Sequence, residues 1–89
     1  GAIVEKVMDD RRTLVVNRIH EEVNKKAFSI LDSEEENEME CFCIAPVIPG
    51  GDVIGAVLIC SKERGVVMGD LEQKLAETAA GFLAKQLEQ

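Results

Sequence analysis

With 89 residues, 46% of them hydrophobic and 30% charged, the chain has the balance of one small globular domain, not of a disordered or membrane-spanning segment. Its formal charge of −7 argues against a nucleic-acid surface, because phosphate binding needs clustered Lys and Arg. No apolar run reaches the roughly 18 to 20 residues of a transmembrane helix and no basic start leads into an apolar signal region, so a soluble, cytoplasmic chain is expected.

A domain of this size buries only about 60 to 65% of the surface its unfolded chain exposes, which makes a homo-oligomer the default expectation. Cys41, Cys43 and Cys60 form an odd set without a spaced framework, as reduced cytoplasmic thiols do. Gly1 and Ala2 read as a cloning remnant outside the fold, and the lack of an initiating Met reads as a piece of a longer protein.

Residues 3–12 place Ile3, Val4, Val7 and Met8 on one helical stripe and predict a short helix. Thr13 to Val16 is β-rich, yet it also continues the helical stripe, so its state stays open. Residues 18–26 are polar, residues 27–31 form a short β-like run, and the acidic stretch Asp32 to Glu40 reads as a solvated loop. Two apolar runs, Cys41 to Ile48 and Val53 to Cys60, flank Pro49-Gly50-Gly51-Asp52 and predict a hairpin. With Gly50 and Gly51 as a two-residue loop, Ile48 faces Val53, Ile44 faces Val57 and Cys41 faces Cys60; a bulge would shift this register. Neither strand alternates with polar residues, so cover is expected on both faces.

Lys62 to Gly69 is a charged connection punctuated by glycine. Asp70 is then an N-cap candidate, with Gln73 three residues on as in a capping box, for a helix reaching about Leu87. Leu71, Leu75, Ala79, Phe82 and Leu83, extended by Thr78 and Leu87, form its apolar stripe, the core face by default. Leu75, Ala79 and Phe82 are also the candidates for an oligomer interface. Gly81 costs up to about 1 kcal/mol relative to Ala in a helix, which predicts close approach of another backbone.

No pattern specifies catalysis. The single histidine, His20, is far in sequence from the cysteines, and no nucleophile–base pair is spaced for attack. The hairpin register would gather the three thiols, but neither zinc spacing nor a C-x-x-C motif is present, and buried cysteine is ordinarily a small hydrophobe. Gly50 to Gly55 lacks the Walker lysine and leads into a strand, so it is a turn. Glu34 to Glu40 lacks the alternation and central glycine of a calcium loop. No catalytic residue, metal site or cofactor is therefore expected, and no ligand-binding residue can be named.

The hairpin, Ile44-Ala45-Pro46-Val47-Ile48 followed by Gly51-Asp52-Val53-Ile54-Gly55-Ala56-Val57-Leu58-Ile59, resembles the later strands of GAF domains. The ending from Lys74 to Gln89 closely resembles the C-terminus of the stage V sporulation regulators, AbrB-related transcription factors of spore-forming bacteria. Val4 to Arg12 looks like that family's preceding helix, whereas residues 18–40 depart from it and read as an insertion. The resemblance implies an α+β fold, a GAF-like antiparallel sheet with flanking helices. It also implies that residues 1–89 form one partial regulatory domain, lacking on its N-terminal side a helix and two strands. A complete regulator would sense an unidentified small-molecule effector, form oligomers, and contact DNA only through a separate N-terminal domain. The competing expectation is a ligand-free oligomerisation scaffold.

Overall fold

The computed structural model describes residues 2–19 and 39–88. The β-like run at 27–31, most of the acidic stretch and His20 lie outside the described residues. The elements are α1 (Ala2–Asp10), β1 (Leu14–Val16), β2 (Cys41–Val47), β3 (Gly55–Ser61) and α2 (Asp70–Leu87). The strands form an antiparallel sheet in the order β1-β2-β3, with α1 on one face and α2 on the other, an α+β arrangement. Ala2, set aside on sequence grounds, is the first residue of α1.

Strand periodicity divides the core into two layers. Phe42 and Ile44 point towards α1, where they pack with Ile3, Val7, Val16, Ile19 and Met39. Cys41, Cys43, Ala45 and Val47 point the other way, onto Met68, Ala76 and Ala80. β2 is central, which explains its unbroken apolar run: only Pro46 among its residues is partly exposed. Pro46 lies beyond the last residue paired with β1, Ile44, so its missing N–H breaks no rung of that ladder. The expected cover on both faces holds for β2, while β3, which among the described residues pairs on one side only, is half-buried along most of its length.

Within Thr13 to Val16, Leu14–Val16 resolves as a strand because α1 stops first. Arg11 adopts a left-handed backbone, φ 55°, and its N–H donates to the Val7 carbonyl at 2.9 Å, a helix-ending turn ordinarily made by glycine. The chain leaves in a new direction and pairs Val15 with Cys43.

The hairpin register differs from expectation by one residue. Pro49–Gly51 forms a 3-10 turn, with Gly50 and Gly51 at φ 60° and 93°, and the strands close at Val47 and Gly55. Cys41 therefore faces Ser61, and Phe42 faces Cys60. Because side chains alternate, this shift sends Cys60 to the sheet face opposite Cys41 and Cys43.

The cap of α2 also shifts by one. Gly69 is the N-cap and Asp70 the first helical residue; the Gly69 N–H donates to Glu72 Oε1 at 2.7 Å, and the Gln73 backbone N–H donates to the Gly69 carbonyl at 3.0 Å. Glu72 thus takes the place expected of Gln73, and glycine cannot supply the reciprocal side-chain bond.

One clamp carried no sequence signal. Asn17 Nδ2 donates to the Met68 carbonyl at 3.0 Å, and the Met68 N–H donates to Asn17 Oδ1 at 2.7 Å, so one side chain satisfies both backbone groups as a neighbouring strand would. Asn17→Ala leaves both half-buried groups without partners and is expected to cost about 2 kcal/mol in urea unfolding. A loss within error of zero would mean that the Lys62 to Gly69 connection is not held there.

Candidate functional site

The apolar stripe expected to form the core face of α2 mostly points to solvent. Ala76 and Ala80 are the buried residues of α2, whereas Leu71, Leu75 and Phe82 are 67%, 54% and 63% exposed, and Ala79, Leu83 and Leu87 are exposed too. The physical reason is space: α2 lies close against the sheet face of Cys41, Cys43 and Ala45, where alanines fit and leucines do not. At about 100° per residue, Leu71, Leu75, Thr78 and Phe82 fall on one line with the 4-3-4 spacing of a coiled-coil seam. Glu72, Ala79 and Gln86 border the seam on one side and Lys74 on the other, and Lys85 stands at the next position of the repeat. Leu75, Ala79 and Phe82, the interface candidates, are thus brought together on an accessible face.

The opposite flank of α2 lines a groove of about 530 Å³. Gln73, Glu77, Ala80, Gly81 and Ala84 form one wall, the C-terminal end of β2 with Ile48 the floor, and Arg11, Arg12 and Thr13 the facing wall. Thr13 Oγ1 donates to Glu77 Oε2 at 2.8 Å and ties the walls together. Gly81 meets no neighbour within 4 Å of where a Cβ would stand, so the backbone approach expected there does not occur within the described chain. Periodicity could not have found Arg11 and Arg12, because the turn after α1 places them.

The thiols do not converge. Cys41 and Cys43 are buried under α2, and Cys60 is exposed on the other face. Burial raises both buried thiol pKa values above the ordinary 9.0; at Cys41 backbone hydrogen bonding opposes this more weakly, and at Cys43 the negative charges of Glu77 and Glu72 add to it. Cys41 Sγ also donates to the Val66 carbonyl at 3.3 Å. Both thiols are therefore protonated near neutral pH and poor as nucleophiles or metal ligands. The folded state holds these protons more tightly than the unfolded chain, so the associated stability is complete below pH 9.0 and lost as pH rises through the raised values. In native protein at neutral pH, Ellman's reagent is expected to titrate Cys60 alone and reach the others only on unfolding. Rapid reaction of two or three thiols would place a buried cysteine at the surface.

Comparison with known proteins places this geometry in a family. The family described as "Stage V sporulation protein T C-terminal, transcription factor" matches residues 1–88. The chain belongs to this family. It is 38% identical over 87 residues to stage V sporulation protein T of Bacillus subtilis (strain 168), covering 98% of the chain and 44% of that relative, so it spans less than half of the relative's length. The match includes residues 18–40 as well as the region from Cys41 onward. The fold is also that of the GAF domain region of a protein from Geobacter sulfurreducens PCA, with a TM-score of 0.66 over 92% of the chain and 53% of that structure. At 16% identity this likeness concerns fold alone.

Proposed function

We propose that the chain is the signal-sensing and oligomerisation module of a sporulation transcription regulator of AbrB type, acting in the cytoplasm on DNA held by a separate N-terminal domain. Membership in a transcription-factor family supports a regulatory role, and the net charge of −7 fits a module that leaves DNA contact to another part. The reading is of a non-catalytic protein: Cys41 and Cys43 are buried and protonated, which suits packing better than attack.

The observation that carries the self-association half is the exposed seam of Leu71, Leu75, Thr78 and Phe82. A second copy is its best occupant, because the 4-3-4 spacing lets two such helices interlock and a chain this small gains most from burying its own apolar surface.

An effector would act by binding one arrangement of the paired modules better than another, altering the spacing of the DNA-binding domains. Sedimentation velocity over a range of concentrations tests self-association directly: a reversible monomer–dimer equilibrium is expected, and a chain that stays monomeric at the highest soluble concentration overturns it. A ligand-free scaffold would use the same seam and make no use of the groove behind it.

A further inference from the structure

We infer that the groove between α2 and the Arg11–Thr13 turn is a binding site for a small organic monocarboxylate with an apolar body. The inference rests on the sensing half of the proposed function and names the ligand class. The groove combines what such a ligand needs: about 530 Å³ of space, an apolar floor that includes Ala45, Pro46 and Ile48, and a wall bearing two adjacent arginines.

Charge selects among ligands. Two guanidinium groups against the single Glu77 carboxylate leave the lining with a formal charge of +1, in a chain whose total is −7. A monocarboxylate matches that charge, a dicarboxylate meets Glu77, and an amine meets the arginines. Arginine is also the side chain suited to gripping a carboxylate with two parallel hydrogen bonds.

The left-handed residue that ends α1, Arg11 at φ 55°, is what turns the chain so that Arg11, Arg12 and Thr13 line the groove. On the facing wall, Gly81 opens space that any other helical residue would narrow. Together the two positions keep the groove charged and open.

The groove and the seam occupy different flanks of one helix. Gln73 and Leu71 are two residues apart and so lie about 200° apart around α2. A carboxylate seated under one flank therefore sits against the helix whose other flank would meet the second copy.

Hexanoate and phenylacetate are the probes, with hexylamine as the control that keeps the apolar body and reverses the charge. Titrated into the 15N-labelled chain, each carboxylate is expected to give saturable amide shifts at Arg12, Thr13, Ala80 and Ala84, with a dissociation constant on the order of 1 mM, and hexylamine none. R11Q and R12Q are each expected to weaken binding by about tenfold. G81M fills the groove from the helix side without removing a native contact, so it is expected to abolish binding while the chain stays folded.

The inference is overturned if neither carboxylate gives saturable shifts, if the shifts map to the α1 face of the sheet, or if hexylamine binds equally well. It is also overturned if folded G81M binds as the parent does. A chain that dimerises yet ignores both carboxylates keeps the self-association reading and loses this site; a monomer that binds them does the reverse.

Discussion

Replacing Leu75 and Phe82 together by aspartate is expected to leave a folded monomer and weaken self-association by more than 100-fold, about 2.7 kcal/mol. Each side chain is more than half exposed in the single chain, so its removal costs the monomer little: about 0.5 kcal/mol of helix propensity per aspartate. Across a dimer, four side chains would be withdrawn from the interface, each worth roughly 1.5 to 3 kcal/mol when fully buried, and four like charges would face one another. Even partial burial therefore exceeds the stated loss. The measurement is sedimentation equilibrium of both proteins, with circular dichroism to establish folding. A double variant that dimerises like the parent moves the interface off this seam; one that cannot fold shows that these residues belong to the core of the single chain.

The second large effect concerns the other end of the burial scale. Phe42 is fully buried between β2 and α1, among Val7, Val16 and Ile44, and Phe42→Ala is expected to cost 3 to 5 kcal/mol in equilibrium unfolding. At roughly 0.05 to 0.15 kcal/mol per residue, a chain of 89 residues has about 4 to 13 kcal/mol in total, so the variant approaches the unfolding threshold. Phe82→Ala makes the same chemical change on the exposed face and is expected to cost the monomer less than about 1 kcal/mol. A Phe42→Ala loss below about 1 kcal/mol would refute the α1 layer of the core.

These two phenylalanines show where sequence reasoning reached its limit. Both sit in apolar patterns of the right period, and the pattern establishes that a face is apolar without saying what covers it. For β2 the answer was legible, because an unbroken apolar run requires cover on both sides and a central strand has it. For α2 it was not: Leu75 and Phe82 dominate the stripe by size, but the approach of the helix to the sheet is set by Ala76 and Ala80.

The sequence by itself determined the short opening helix, the hairpin around Gly50 and Gly51, the long closing helix and the resemblance that led to the family, because hydrophobic period, turn chemistry and local motifs are written in neighbouring residues. Only the tertiary structure decided the one-residue register that separates Cys60 from Cys41 and Cys43, the Asn17 clamp on Met68, the outward seam and the groove behind it. Each depends on groups far apart in the chain, 51 residues for Asn17 and Met68 and 64 for Thr13 and Glu77, and no local pattern encodes a distance of that kind.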